Sequence, residues 1–518
     1  MEYIINDKQI KIGGILSYLQ MGLYIVIGLL YMPLMIRLLG QREYGLYNTV
    51  VSTVSMLTVL NLGFSNGYIR YFAKYKAVNN KDAIKKLNGL FLIIFSVIGM
   101  IAFACGLFLV EHLNLVFDRG LSEQEYGLAR LLMLIMTFSL AISFPLSVFS
   151  IIINAHERFI FLKIAEICKT IFNPVISIPL LLLGYGSIGV VCVMVGISLV
   201  IDCIYMYYVL AKLNNQFAFR GFEKGIFQGV LVYTSFIAIN LIVDQVNWNI
   251  DKILLGRFQG TLVVAIYSVG AMMQTYYLML STAVSNLFVP RIHNIINTCS
   301  NVQERDIIIS ELFIRVGRIQ YLILSLIVTG FVFFGKKFIY YWVGEVYVES
   351  YYVALLFLIP VTVPFIQNLG IEIQRAENKH KFRSIVYMIM AVINFILSIY
   401  LSKNYGATGA ALGTAVSLIV ANGVIMNIYY QKNCGIDICL FWKNIARMSM
   451  GLVIPIVVGC ILISTLDFKD FKELFLCIFF YAVVYIVSMW FLGMNDYERC
   501  CAKDIVRKVK RETDDSDR

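Results

Sequence analysis

Apolar stretches follow one another along nearly the whole chain, and short polar turns separate each from the next. A crossing needs about 20 mostly apolar residues. The pattern places spans at 12–36, 45–70, 87–111, 128–153, 159–184, 187–211, 225–251, 261–288, 312–335, 350–374, 382–402, 406–430, 440–465 and 472–493. Inside lipid every backbone amide must find its partner within the protein, which a helix does locally and an open sheet cannot do. The expected fold is therefore an all-α polytopic membrane protein with about fourteen transmembrane helices. Spans 225–251 and 312–335 are the least uniform, because each carries polar residues at depth.

The pattern also repeats at a nearly constant offset. Tyr185-Gly-Ser-Ile-Gly189 opens one span and Tyr405-Gly-Ala-Thr-Gly409 opens another. Pro145 and Pro364 take corresponding mid-span positions, Asn173 and Asn394 recur one span later, and Leu38-Leu-Gly40 echoes Leu254-Leu-Gly256. If the halves run 1–213 and 222–433, each holds six spans. An even number per half preserves topology, so the repeats are parallel, related by an axis along the membrane normal. Spans thirteen and fourteen, within 440–495, lie outside this symmetry, and 496–518 forms a basic tail.

Charge sets the expected orientation. The net charge is +11, with 59% of residues hydrophobic and only 14% charged, and basic residues gather on alternate connections. Arg70, Lys74, Lys76, Lys81, Lys85 and Lys86 form one group, Arg375, Lys379, Lys381 and Arg383 another, and the tail a third. Intervening connections are poorer or acidic, as at Glu111, Asp118, Glu123 and Glu125. Lys and Arg in short loops mark the cytoplasmic side, so both termini are expected inside. The tail then sits near anionic lipid headgroups, and nucleic acid is not a partner. Most of the 11 cysteines fall within spans, which argues against a disulfide framework.

Against this apolar background, the polar residues at depth are the candidates for function. Asn240, Asp244, Asn247 and Asp251 fall at spacings of four, three and four, on one face of span seven. Ionisable groups inside a membrane face the bundle interior or water, so the stripe predicts a wet cavity or, alternatively, a hydrogen-bonded seam, with Asp251 at the interface. Asp202 in span six matches Asn422 in the second half and is a candidate ion relay beside Asp244. Lys163, Glu166 and Lys169 are spaced to pair, and Lys169 lies deepest. Glu311 and Arg315 can pair at i,i+4, which leaves Arg318 without a local partner and a candidate phosphate contact. Arg70, just beyond Gly63-Phe-Ser-Asn-Gly67, is another; the glycine spacing itself favours close helix approach.

Enzyme signatures are absent. The four histidines, His112, His156, His293 and His380, form no metal cluster, no Walker-type sequence is present, and no connection is long enough for a catalytic domain. No cofactor is implied.

Several segments in order resemble one family. Leu38-Leu-Gly-Gln-Arg-Glu-Tyr-Gly-Leu-Tyr47, Leu60-Asn-Leu-Gly-Phe-Ser-Asn-Gly-Tyr-Ile-Arg70, Asp251-Lys-Ile-Leu-Leu-Gly256 with Ala265-Ile-Tyr-Ser268, and Tyr405-Gly-Ala-Thr-Gly-Ala-Ala411 are similar to the polysaccharide-exporter branch of the multidrug/oligosaccharidyl-lipid/polysaccharide transporter superfamily, the Wzx-type flippases. The resemblance implies two six-helix lobes that open alternately around a central cavity in a bacterial cytoplasmic membrane. The substrate it implies is a polyprenyl-pyrophosphate-linked oligosaccharide for surface polysaccharide such as O-antigen, capsule or exopolysaccharide. It also implies coupling to protons or sodium, and a polysaccharide polymerase and chain-length regulator as partners. On its cavity-lining spans one, seven and eight it points to Tyr24, Trp248, Gln274, Tyr276 and Tyr277 as sugar contacts. One departure matters: peptidoglycan-precursor flippases carry arginines inside span one, whereas this chain offers Ser17, Gln20 and Tyr24 there. A drug–cation antiporter of the same superfamily is the rival reading, and a membrane polymerase or lipid-linked glycosyltransferase a more distant one.

Overall fold

The computed structural model describes residues 2–117, 121–221, 224–299, 301–377, 379–500 and 502–504. Asp118, Cys501 and the tail's Arg507, Lys508, Lys510 and Arg511 lie outside them. The described residues form helices and connections without a strand. In chain order the α-helices are α1 (Glu2–Met56), α2 (Phe64–Ala77), α3 (Lys81–Glu111), α4 (Glu123–Ala155), α5 (Phe159–Leu182), α6 (Gly186–Tyr207), α7 (Lys224–Phe258), α8 (Thr261–Asn286) and α9 (Val289–Thr298). They continue with α10 (Val302–Val343), α11 (Ser350–Ile366), α12 (Leu369–Ala376), α13 (His380–Leu418), α14 (Asn427–Asn433), α15 (Ile438–Ser449), α16 (Val453–Thr465) and α17 (Phe471–Ser488).

Ten helical stretches among the described residues are long and apolar enough to cross a membrane, so this is a multi-pass membrane protein. Two of the ten are double-length: Ile12–Ala77 and Lys381–Asn433. Each bends at a glycine with a backbone closed to other residues, Gly40 (φ 76°, ψ 166°) in the first and Gly406 (φ 59°, ψ −137°) in the second. Gly186 and Gly260 also have positive φ. Gly40 with Gly260, and Gly186 with Gly406, are separated by one and the same offset. The prolines leave α4, α5 and α11 helical through Pro145, Pro174, Pro179, Pro360 and Pro364.

The chain divides into two compact units. One comprises Met1–Val269 with Ser384–Thr414, the other Gly270–Arg383 with Ala415–Arg518. In the first unit α3 lies along α4, α4 along α6, and α1 against α5 and α7. Its core holds Tyr68, Leu87, Phe91 and Phe95, all fully buried. The Tyr68 hydroxyl donates to Asn88 Oδ1 (2.7 Å), and Asn88 Nδ2 donates to the Gln216 carbonyl (3.0 Å), so the connection after α6 folds back over α3. Gly63 and Gly67 make the expected close approach: a Cβ there would lie 2.6 Å from Ile237 Cγ2 and 2.9 Å from Val230 Cγ1, both on α7.

A tighter contact joins Gly45 of α1 to the start of α8, where an added Cβ would overlap the Thr261 carbonyl oxygen. Backbone cannot yield as a side chain can. Gly45→Ala is therefore expected to destabilise the protein by roughly 1–3 kcal/mol, read as a lowered unfolding temperature of the purified protein in detergent. An unchanged midpoint would mean that the two segments part without cost.

In the second unit the 42-residue α10 is the central element, packed against α11, α15, α16 and α17. Its rings meet those of neighbours, as in Phe334 edge-on to Tyr481 (5.5 Å) and Phe313 beside Phe441 (5.0 Å). Hydroxyls tie the same helices together: Tyr485 donates to the Leu322 carbonyl and lies 2.7 Å from Ser325 Oγ, while Tyr321 lies 2.6 Å from Ser449 Oγ. With no water to compete, such bonds and close packing hold membrane helices together. Ile454, Val457 and Ile461 of α16 and Phe475, Phe479 and Ile486 of α17 are exposed, an apolar surface suited to lipid.

Candidate functional site

The stripe on α7 runs from the surface of the first unit into its interior. Asp244 and Trp248 are exposed, Asn240 and Asn247 are half-buried, and Asp251 is completely buried. Asp251, expected at the interface, is instead the most enclosed member, because it lies where α7 meets α8 and α13. Its Oδ2 accepts hydrogen bonds from the Tyr267 hydroxyl (2.7 Å) and the Thr414 hydroxyl (2.8 Å). The Ser398 hydroxyl lies near the same carboxyl, whose Oδ1 is buried and takes no hydrogen bond. Asn394 links the rest: its Oδ1 accepts from Ser398 (3.3 Å) and Thr414 (3.4 Å), and its Nδ2 donates to Asn247 Oδ1 (3.4 Å).

One carboxyl ringed by neutral oxygens has a definite chemistry. An ionised carboxylate cannot stay buried alone, so it takes up a proton or holds a small cation. The donors are all hard oxygens, which suits an alkali-type ion rather than a thiophilic metal. Among the described residues no three His, Cys, Asp or Glu side chains converge as a metal site. A hydrogen-bonded Asn–Ser pair of the same kind lies on α5, with Met194 at the repeat offset from Thr414. Ser177 Oγ donates to Asn173 Oδ1 (3.3 Å), as Ser398 does to Asn394, and Tyr31, at the same sequence offset from Asp251, lies beside Ser177.

A second polar group lies between α1, α4, α5 and α6 in the same unit. Lys163 Nζ donates to Glu166 Oε2 (2.7 Å) and Gln20 Oε1 (3.2 Å), the pairing expected within α5. Lys169 Nζ donates to Ser198 Oγ (3.1 Å), and Ser143 Oγ donates to Asp202 Oδ2 (3.5 Å). Lys169 and Asp202 are both half-buried and interact through space. The ammonium has three donors, so one bond to a hydroxyl leaves it able to grip an anion. Arg70 is exposed on α2. Near that end of the unit His156 packs on Phe72 (4.7 Å), and burial holds its pKa below the usual value, so it adds no charge at neutral pH.

The second unit corrects several expectations. Arg318 is buried in a two-pronged pair with Glu498, Nε to Oε1 at 2.6 Å and Nη2 to Oε2 at 2.9 Å. It also donates to the carbonyls of Asn444 and Gly493, both at 3.0 Å. Four donors are thus committed inside the protein, and Arg318 is not a phosphate contact. Arg315 lies over the Tyr497 ring at 4.5 Å. Gln274, Tyr276 and Tyr277 are buried, and the Tyr277 hydroxyl lies 2.7 Å from Thr362 Oγ1. Sugar stacking needs an accessible ring, and while Trp248 and Tyr24 are exposed, these tyrosines are buried. Spacing along α7 carries no signal for the burial of Asp251, because Thr414 and Asn394 come from α13, more than a hundred residues away.

Comparison with known proteins agrees with this architecture. The structure superposes on lipid II flippase MurJ in an inward closed conformation with a TM-score of 0.67, covering 92% of this chain and 97% of that one at 16% identity. An inward-facing multidrug resistance MATE transporter of the MOP superfamily gives a TM-score of 0.64 over 82% of this chain and 96% of its own, at 12% identity. These likenesses establish a shared fold. In sequence, the putative O-antigen transporter of Shigella flexneri is 22% identical over 414 residues, 77% of this chain and 92% of that protein. The model of the polysaccharide biosynthesis protein family matches residues 13–295, more than half of the chain, and the chain belongs to that family.

Proposed function

We propose that this protein turns polyprenyl-pyrophosphate-linked oligosaccharide units from the cytoplasmic to the outer leaflet of a bacterial cytoplasmic membrane, for assembly of a surface polysaccharide. The observation that carries the reading is the polar stripe of α7, which leads from exposed Asp244 and Trp248 to the sealed oxygen cluster at Asp251. A transporter needs both a face for substrate and an enclosed group whose charge can be exchanged, and the stripe offers both on one helix. Fourteen crossings follow if Gly40 and Gly406 mark turns at the membrane surface and α5 and α7 also cross. Halves at 1–213 and 222–433 then rock alternately about the substrate, with both termini in the cytoplasm. Sugars and pyrophosphate take the hydrated path while the lipid tail stays in the bilayer. Lys169 and Arg70 are the pyrophosphate contacts, by charge-assisted hydrogen bonds, Trp248 and Tyr24 the sugar contacts, and Asp251 the coupling group for a proton or sodium ion.

The fold shared with a multidrug transporter favours a second reading, drug–cation antiport. A deletion in the native host separates the two. Loss of the surface glycan with complete lipid-linked units held on the cytoplasmic leaflet supports the flippase; an intact glycan with increased drug sensitivity supports the antiporter. Complete units displayed outside but left unpolymerised would mean a polymerase.

Asp244 is exposed on the same face and should matter without holding the fold. Asp244→Ala is expected to insert at normal abundance and to lower glycan export roughly tenfold, a loss of about 1.4 kcal/mol of transition-state interaction. Normal export by the variant in the deletion strain, at matched protein level, would remove Asp244 from the mechanism.

A further inference from the structure

At the end of the first unit that holds Gly40 and the starts of α4 and α6, a pocket of about 430 Å³ opens to the surface. Gln41, Arg42 and Glu43 form one wall, Gln124 and Glu125 the other, and Leu128 helps to close it. The polar groups are held in place from behind. Glu43 Oε1 accepts from the Ser187 backbone amide (2.6 Å) at the start of α6. Glu125 Oε2 accepts from the Ser122 amide (2.8 Å), and its Oε1 lies 3.9 Å from Arg42. Gln41 Nε2 donates to the Leu262 carbonyl (3.3 Å). Glu43 and Gln41 each use one atom for the protein and keep another, Oε2 and Oε1, while the guanidinium of Arg42 at 66% exposure and the exposed amide of Gln124 face solvent beside them.

Planar amides, carboxylates and a guanidinium offer donors and acceptors side by side, which is what neighbouring sugar hydroxyls require, since each hydroxyl both donates and accepts. Two carboxylates against one cation leave the pocket negative, so a pyrophosphate is repelled while a neutral or amino sugar is not. The charge bias of the connections puts this end outside. We propose that the pocket is a release subsite for the saccharide part of the substrate, separate from the groups that hold its pyrophosphate. The proposal rests on the flippase reading and adds to it a place where the glycan is held after crossing.

The test uses the full-length protein in lipid nanodiscs. The probe is the free repeat-unit oligosaccharide released from the host's surface polysaccharide, without lipid or phosphate, and binding is followed by saturation-transfer NMR. Wild-type protein is expected to bind it, and Gln41→Ala/Gln124→Ala to bind at least about tenfold more weakly. Leu128→Trp, which fills the pocket and removes no polar partner, should do the same, so a folding defect in either variant does not decide the matter. Binding unchanged in both variants, or none by wild type, overturns the subsite. Failure of the flippase reading is visible separately, as a deletion strain that accumulates no lipid-linked units, and would overturn the subsite with it.

Discussion

Asp251→Asn is expected to abolish glycan export while leaving the protein inserted and folded. The substitution keeps the shape of the side chain, and the hydroxyls of Tyr267 and Thr414 that now donate to Oδ2 can turn to suit an amide. What it removes is the exchangeable charge. A buried carboxyl must be neutralised by a proton or a cation, and alternating access is driven only if that neutralisation differs between the two states. Asparagine is neutral in both, so the bias disappears. The expected result is a drop in surface glycan of at least about tenfold, with lipid-linked units accumulating at the inner leaflet and protein abundance unchanged. In reconstituted vesicles, transport by wild type should depend on a proton or sodium gradient and residual transport by the variant should not. Normal export by Asp251→Asn would make the cluster a packing device. The Tyr31–Asn173–Ser177 group supplies an internal contrast, because it keeps an Asn–Ser hydrogen bond beside a tyrosine in place of a carboxyl. Substitution of Asn173 should therefore affect stability more than coupling.

The helices were legible in the sequence because the bilayer leaves the chain so few choices. Apolar length and the cost of unpaired amides fix helix as the only local solution, and ten of the stretches stand out by composition alone. Glycine positions were legible in part: the spacing of Gly63 and Gly67 favoured a close helix approach without naming α7. The Gly186 and Gly406 turns preserve the offset read from their flanking motifs, whereas the positive-φ counterpart of Gly40 is Gly260 and not Gly256. The site was harder, because its partners are remote. Spacing along α7 puts Asp244 and Asp251 on one face and points to Asp244 as the ion relay, with Asp251 merely interfacial. Yet Thr414 and Asn394, more than a hundred residues away, bury Asp251 and not Asp244. Helical periodicity says which residues share a face; it does not say what covers that face.

Arg318 shows the same limit in the second unit, and its partner carries the largest stability effect. In sequence the arginine stands without a local counter-charge; in the structure its guanidinium meets Glu498 across α10, α15 and the segment after α17. Glu498 is itself set by its own turn, since its Oε2 accepts from the Asn495 amide and its amide donates to Asn495 Oδ1, both at 2.9 Å. That reciprocal arrangement starts a helix and aims the carboxylate at the arginine. Glu498→Ala strands a buried guanidinium, and breaking such a pair from one side costs about 3–5 kcal/mol. The variant should therefore unfold at a markedly lower temperature in detergent and accumulate poorly in the membrane. Replacing both partners, as in Arg318→Met/Glu498→Met, removes the uncompensated charge and should recover most of that loss, because paired burial gives little net stability over a well-packed apolar contact. If the double variant is as unstable as Glu498→Ala, the pair is held for the carbonyls of Asn444 and Gly493 rather than for charge balance. Recovery of stability together with normal export would make the pair a fastening for the C-terminal segment, without a part in moving substrate.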